Sequence, residues 1–481
     1  MTSFILARTA QRTWWKLAQP LGVLCALGVG LGAAASHASA FLVEARTEAQ
    51  AYQIRAWRGS TPDDPVLLPR RRIVQYLGLN AFELATGQDL GFESNLRIWA
   101  DFGLPKGEAE RVDGLKSEDA ELLHAYVRYA KGGFEGRLGR QLYTDVSDIL
   151  AFDGVRARYM TRLGLGAEVY GGLWVKGTSF LGSSVYQLEG TRESDERRLR
   201  EGVVGADPTL DAIEPLIGAK LLMEDVKGFN AAVGYRKALS DGKTNLERAT
   251  VEARYGRGLG LNALAGVDYD VLQGKVAQVR TQLRWDDTRF SATAELMRLS
   301  PVLSADSIWY YFAWAPRDEA RLRVDLFTPG ALRFYVQGLG SKYNENVNPD
   351  LAIAAFVDGE GAPESTSVGG SAGAAYRSGA FRSALDVTYR TGFGGDQLWG
   401  DLTGGYSFDR DRFTLDARVS FARIFDSFNA RLGGNFYGAQ VWASRALTRA
   451  TRLSLVVEQN FNPFTDSDTK GFLLFDLKAS L

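Results

Sequence analysis

The chain has 481 residues, 45% hydrophobic and 23% charged, with 56 Lys and Arg against 57 Asp and Glu, two His and one Cys. That near-neutral balance does not suggest a nucleic-acid binder, and so few His and Cys exclude a zinc cluster and a disulfide framework. Glycine is abundant (53), proline scarce (13) and 11% of the residues are aromatic, a composition suited to strands and tight turns.

Residues 1–40 contain no Asp or Glu. Arg8, Arg12 and Lys16 precede an apolar stretch, Leu21–Ala35, and then the small-x-small triplet Ala38-Ser39-Ala40. This is the pattern of a secretory signal peptide over residues 1–40 of a Gram-negative envelope protein, with residues 41–481 as a single mature domain starting at Phe41. The apolar stretch is shorter than the ~20 residues of a spanning helix. Its removal takes Cys25 and His37 with it, leaves His124 as the one histidine, and leaves 53 basic residues against 57 acidic. The remainder has no run of 18 apolar residues, so no transmembrane helix is expected.

From there the chain alternates with period two. Phe92, Leu96, Ile98, Ala100 and Phe102 alternate with Glu93, Asn95, Arg97 and Asp101. Ala277, Val279, Thr281, Leu283 and Trp285 alternate with Gln278, Arg280, Gln282 and Arg284. The same holds for Phe381, Leu385, Val387 and Tyr389 against Arg382, Asp386, Thr388 and Arg390, and for Phe413–Phe421 against Thr414, Asp416, Arg418 and Ser420. Each stretch has about the length of a tilted membrane-crossing strand. Turn signals separate them: Lys131-Gly-Gly, Arg257-Gly-Leu-Gly, Asp286-Asp-Thr-Arg, Thr328-Pro-Gly, Arg377-Ser-Gly and Asp409-Arg-Asp. Residues 229–299 repeat strand plus turn about every 15 residues, as in a meander of hairpins.

Roughly 24 candidate strands follow one another with no linker. A flat open sheet of that size exposes its edges, and closure removes them. The expected fold is therefore all-β: a transmembrane up-and-down antiparallel β-barrel with an even strand number, 18–24, in the outer membrane. The alternative is a soluble secreted β-protein, a propeller or tandem sandwiches, but no self-similar repeat of propeller length is present. The cluster Trp309–Trp314 suits a membrane-interface girdle or core packing. Longer polar insertions fall near Gly59–Pro69, Gly103–Asp119, Glu189–Asp211, Ser341–Ser365, Ile424–Gly433 and Asn462–Lys470. If the first strand rises from the periplasm, all but Glu189–Asp211 lie outside the cell. A weak strand at Ser179–Leu188 decides whether that segment is external, periplasmic or a pore constriction.

The chain ends on an amphipathic strand, with Leu473, Phe475, Leu477, Ala479 and Leu481 on one row and Asp476, Lys478 and Ser480 on the other. The first row is expected to face lipid, with the strand closing the barrel against Leu42–Arg55. It resembles the C-terminal strands by which outer-membrane barrels are recognised by the assembly machinery, although those end most often in Phe. Outer-membrane lipid and that machinery are thus the expected partners.

Alternation assigns Arg97, Arg128, Arg156, Arg158, Arg248, Arg254, Arg280, Arg284, Arg321, Arg323, Arg382, Arg390 and Arg418 to the lumen. It also assigns Glu93, Asp101, Glu168, Glu252, Asp325, Asp386 and Asp416 there. Guanidinium groups bind carboxylates and phosphates in a planar fork. This set implies either an anion-favouring channel wall or internal pairing with cross-strand carboxylates.

One stretch, "GRLGRQLYTDVSDILAFDGVRARY", resembles the alginate-export type of outer-membrane channel through Gly139, Arg140 and Gln141 and then Phe152, Asp153, Gly154 and Arg156. The resemblance implies an 18-stranded monomeric barrel whose arginine-lined, electropositive pore passes an acidic exopolysaccharide. Exopolysaccharide-export barrels that join a periplasmic export conduit are a related possibility. The expected function is a passive channel exporting an anionic exopolysaccharide. The alternatives are a substrate-uptake porin and, in another class, a plugged structural or adhesin barrel or an outer-membrane enzyme. His124, in "AELLHAYVRYA" with Leu123, Ala125, Val127 and Tyr129 as the lipid row, is expected to fill the lumen with Tyr126 and Arg128. No Gly-x-Ser-x-Gly elbow is present, and Ser367–Tyr376 reads as a strand with close backbone approach. No catalytic residue, metal or cofactor is expected.

Overall fold

The computed structural model describes residues 40–57, 65–84, 89–103, 118–145, 149–175, 214–240, 242–256, 258–300, 316–343, 366–393, 395–409, 412–425, 433–463 and 467–480. They form 22 strands in one sheet, and each strand pairs antiparallel with the next in sequence. The strands are β1 (Ala40–Trp57), β2 (Pro65–Phe82), β3 (Asp89–Asp101), β4 (Glu118–Lys131), β5 (Phe134–Thr144), β6 (Ile149–Met160), β7 (Leu165–Val175) and β8 (Pro215–Val226). Then come β9 (Phe229–Ser240), β10 (Lys243–Tyr255), β11 (Gly260–Asp270), β12 (Lys275–Asp286), β13 (Phe290–Leu299), β14 (Arg317–Phe327) and β15 (Leu332–Tyr343). The last are β16 (Thr366–Ser378), β17 (Phe381–Gly392), β18 (Asp396–Phe408), β19 (Phe413–Phe425), β20 (Gly434–Ala446), β21 (Thr451–Phe461) and β22 (Asp468–Ser480).

The terminal strand closes the cylinder. β22 pairs with β1 from Leu42 opposite Ser480 to Ala51 opposite Gly471. Leu473 and Phe475 are exposed on the outside, and the inward Asp476 binds Arg46 of β1 at 2.5 Å. Closure leaves no unpaired edge, the condition for strands to stand in lipid. The described residues form 22 strands, not the 18 implied by the alginate-export resemblance. Residues 1–39, which carry the signal-peptide reading, lie outside the described residues, as do Leu481 and the cluster Trp309–Trp314.

The outward rows are the apolar rows of the alternation. Leu283, Trp285, Leu385, Val387, Leu415 and Val419 all stand exposed on the outer wall. The wall has a lower aromatic girdle, with Phe229 against Tyr255 (4.6 Å), Tyr376 against Phe381 (6.0 Å) and Phe408 against Tyr406 and Phe413 (4.5 and 5.4 Å). Aromatic rings at this level suit the interface between acyl chains and headgroups.

The two ends of the cylinder differ. Every turn signal named above connects an even-numbered strand to the next odd one, at the girdle end. Every long insertion connects odd to even, at the opposite end. Short turns mark the periplasmic mouth and long connections the external one. Glu189–Asp211 lies outside the described residues, but β7 and β8 pair directly, from Leu165 opposite Met223 to Leu173 opposite Pro215. The end of β7 and the start of β8 therefore both stand at the external end. The hairpin repeat holds across β9–β13, whose strands begin at 229, 243, 260, 275 and 290.

One face assignment changes. Asn95 lies opposite His124, but Leu96 lies opposite Leu122, so a bulge leaves Leu123 without a partner. Leu123 is buried, and Leu122, not Leu123, joins the exposed outer row. One extra residue in a strand shifts every side chain beyond it to the other face.

Candidate functional site

The candidate site is the inner wall. Paired residues on adjacent strands share a face, so the registers propagate the inward row from strand to strand. They place the lumen arginines of the sequence reading on that wall, and contacts show what each one meets.

Most meet a carboxylate. Arg97 binds Glu121 (2.5 Å), Arg128 binds Asp89 and Glu135 (3.0 and 3.3 Å), and Arg156 binds Glu168 (2.5 Å). Arg280 binds Glu295 (2.9 Å), Arg284 binds Asp286 (2.7 Å) and Arg323 binds Asp325 (2.7 Å). Arg418 binds Asp401 (2.7 Å) and Arg382 binds Asp416 (2.6 Å). Arg158 pairs with Glu224, Arg248 with Asp268, Arg254 with Glu252 and Arg321 with Glu319. Only Arg390 of this set has no carboxylate within ion-pair distance among the described residues. It donates to the hydroxyls of Ser367 (2.6 Å) and Ser341 (2.7 Å). Of the two sequence readings of these arginines, the contacts match internal pairing. The solvated pairs among them contribute about 0–1 kcal/mol each to stability. Their main effect is to convert a row of charges into a mosaic of neutralised forks.

Several bridges span an intervening strand, and glycine makes this possible. Tyr335 on β15 and Asp386 on β17 both lie opposite Gly373 on β16, and the Tyr335 hydroxyl donates to Asp386 at 2.5 Å. A Cβ at Gly373 would stand 2.2 Å from the Tyr335 ring. These glycines explain the small-residue run Ser367–Tyr376, which is strand β16 as expected.

The wall is asymmetric. The β2–β11 side holds a buried inward region: Arg70 with Asp101, Arg248 with Asp268, and an apolar cluster of Tyr143, Leu150, Phe152, Tyr170, Leu216, Ala238 and Leu246. Arg236 and Lys220 lie 3.7 and 3.8 Å from the buried Asp145 in the same region. On the β12–β22 side, inward charges are accessible, with the side chains of Arg284, Arg382 and Arg418 about half exposed (50, 49 and 53%). Two recesses lie along this accessible side. One, of about 580 Å³ near the periplasmic mouth, is lined by Arg333, Arg377, Arg382, Asp416 and Trp442. The other, of about 620 Å³, is lined by Asp401, Ser420, Glu458, Asn460 and Lys470. They share Arg418 and Gln440 and so form one polar track.

The "GRQ … FDG" motif folds as a single hairpin register. Gly139 lies opposite Gly154, Arg140 opposite Asp153 and Gln141 opposite Phe152. Gln141 and Phe152 are inward and fully buried. Arg140 and Asp153 face outward and form a two-pronged ion pair at 2.7 and 2.8 Å, and Arg140 also donates to the Leu122 carbonyl at 3.1 Å. Gly139 has φ +127°, and a Cβ at Gly154 would stand 2.1 Å from the Gly171 carbonyl oxygen. The motif thus pins β4–β7 together, and only Arg156 of its residues contributes a charge to the lumen.

His124 is inward, as expected, with its ring 5.9 Å from Tyr126, whose hydroxyl donates to Glu93 at 2.7 Å. Among the described residues no group of three or more His, Cys, Asp or Glu is arranged to hold a metal ion. Sequence reasoning missed Arg70, Lys220, Arg236 and the inward Tyr143, Tyr170 and Tyr335. Arg70 and Arg236 lie on rows that alternate like the rest, and that alternation was the signal that could have found them.

A closed, even-stranded antiparallel cylinder with an apolar outer wall, an aromatic girdle, a polar lumen and long connections at one end is an outer-membrane β-barrel of porin-like architecture, located in the bacterial outer membrane. No protein-family model matches the sequence, and no curated protein does. Among solved structures, the chain is similar to a BenF-like porin from Pseudomonas fluorescens Pf-5, at 8% identity and TM-score 0.46, covering 92% of this chain and 99% of that one. It is also similar to Pseudomonas aeruginosa OpdK with vanillate, at 8% identity and TM-score 0.44, with 92% and 99% covered. Acinetobacter baumannii OccAB4 gives 8% identity and TM-score 0.42, again with 92% and 99% covered.

Proposed function

We propose that the protein is a passive uptake channel through which small polar solutes diffuse across the outer membrane along the accessible β12–β22 side of the lumen. The observation that carries this reading is the polar track, whose charges are paired at Arg418, Arg382 and Lys470, while Arg333 and Arg377 in the periplasmic recess make no ion pair among the described residues. Arg418 with Asp401, Arg382 with Asp416 and Lys470 with Glu458 offer donors and acceptors of both signs to a passing solute. Its recesses have the volume of small-molecule sites. Paired charges do not concentrate a polyanion, and this weighs against the export of an acidic exopolysaccharide and against a periplasmic conduit as partner. The 22-strand count also departs from the 18 strands of the alginate-export type.

One observation favours a second reading, a plugged barrel. In outer-membrane transporters of this strand number the lumen is filled, and the β2–β11 side is packed. Swelling of proteoliposomes in small sugars separates the two. Swelling rates that fall with solute size and change little with solute charge support the channel. No swelling supports the plug, and block by an acidic oligosaccharide supports the export reading.

A further inference from the structure

The outer wall carries a charged row where lipid is expected. Arg298 on β13, Asp318 on β14, Lys342 on β15 and Thr366 on β16 lie directly opposite one another in register. All four stand on the outward face, one dyad step above Leu296 and Val368, which are about 60% exposed (61 and 60%). Arg298 and Asp318 are 3.6 Å apart and nearly half exposed. Lys342 is exposed and makes no ion pair among the described residues. Between the row and the apolar pair lies a recess of about 640 Å³ whose lining includes Gly340.

Its height on the barrel decides its chemistry. Arg298 is eight residues above Phe290, an exposed outward ring beside the periplasmic turn. With ~3.4 Å per residue and a strand tilt of ~40°, the row stands about 20 Å above that level along the membrane normal. The apolar band of such barrels is about 25 Å tall. The cations therefore meet the headgroup boundary of the outer leaflet, and the recess beneath them meets acyl chain.

We infer that the Arg298–Lys342 row is a docking site for the phosphorylated glycolipid of the outer leaflet. The two cations receive its phosphate, and the recess over Leu296, Gly340 and Val368 receives the first part of an acyl chain. Asp318 orients Arg298 and limits the site to a doubly charged headgroup strong enough to compete for the guanidinium. The site is separate from the lumen and stands whether or not solutes pass through the barrel.

The test is native mass spectrometry of the full-length protein in detergent titrated with diphosphoryl lipid A. The wild type is expected to retain the lipid, and Arg298→Ala/Lys342→Ala to weaken its retention about tenfold. Dephosphorylated lipid A should bind the wild type as weakly as the intact lipid binds that variant. Lys237→Ala, an outward cation held by Glu247 at 3.8 Å, should change nothing. Heat-modifiable migration in gels verifies folding, and Lys342→Glu alone serves if the double variant does not fold. Unchanged retention by a folded variant, equal retention of the dephosphorylated lipid, or equal retention of phosphatidylglycerol overturns the assignment.

Discussion

Arg382 on β17 reaches Asp416 on β19 across the intervening strand, at 2.6 Å, because the residue between them is Gly405. A Cβ at Gly405 would stand 2.1 Å from Asp416 Oδ1 and 2.8 Å from Arg382 Nε. Both obstructed atoms belong to side chains and not to backbone, so a larger residue displaces the bridge. Gly405→Val is expected to free Arg382 into the lumen while changing stability by no more than about 1 kcal/mol, the scale of a solvated pair. Reversal potentials in a salt gradient should move toward anions, with a urea midpoint near that of the wild type.

Buried pairs behave differently. Arg248 and Asp268 have side chains 8% and 0% exposed. Removing one partner strands a desolvated charge and costs about 3–5 kcal/mol. Asp268→Ala should therefore lower the urea midpoint of the lipid-inserted barrel far more than Asp416→Ala. Arg248→Met/Asp268→Leu should recover most of the loss.

Closure by β22 depends on the outward row. Phe475 faces outward on the strand that joins β1, and Asp476 faces the lumen. An arginine on the lipid face costs about 2–4 kcal/mol at the bilayer midplane. Phe475→Arg should reduce the fraction of heat-modifiable, folded protein recovered in vesicles, whereas Asp476→Asn should leave it near the wild-type value.

Two glycines separate close approach from open space. A Cβ at Gly154 would stand 2.1 Å from the backbone carbonyl oxygen of Gly171, and one at Gly404 meets nothing within 4 Å. Gly154→Ala must push β6 and β7 apart, so its urea midpoint should fall clearly. Gly404→Ala should be neutral or slightly stabilising.

The alternation in Phe381–Arg390 and Phe413–Phe421 made the barrel legible because one face of each strand meets lipid and the other water. The turn signals marked the hairpins, and the strand order shows that all of them fall at one mouth. The bulge at Leu123 was not legible, because one added residue leaves the local composition unchanged. Nor was the pairing of the lumen arginines. Period two gives the face on which Arg382 stands, whereas the register decides that Asp416 is within its reach. The asymmetry between the buried side with Arg248 and the accessible side with Arg418 was equally hidden, because the strands on both sides alternate alike.

The account rests on an open lumen whose charges are largely neutralised in pairs. Single-channel recording of the purified protein in planar bilayers, with a salt gradient across the membrane, tests this most directly. The expected result is steady conductance and a reversal potential close to zero, moving toward anions in Gly405→Val. A protein that folds and inserts but carries no current, or a wild type strongly selective for anions, would contradict it.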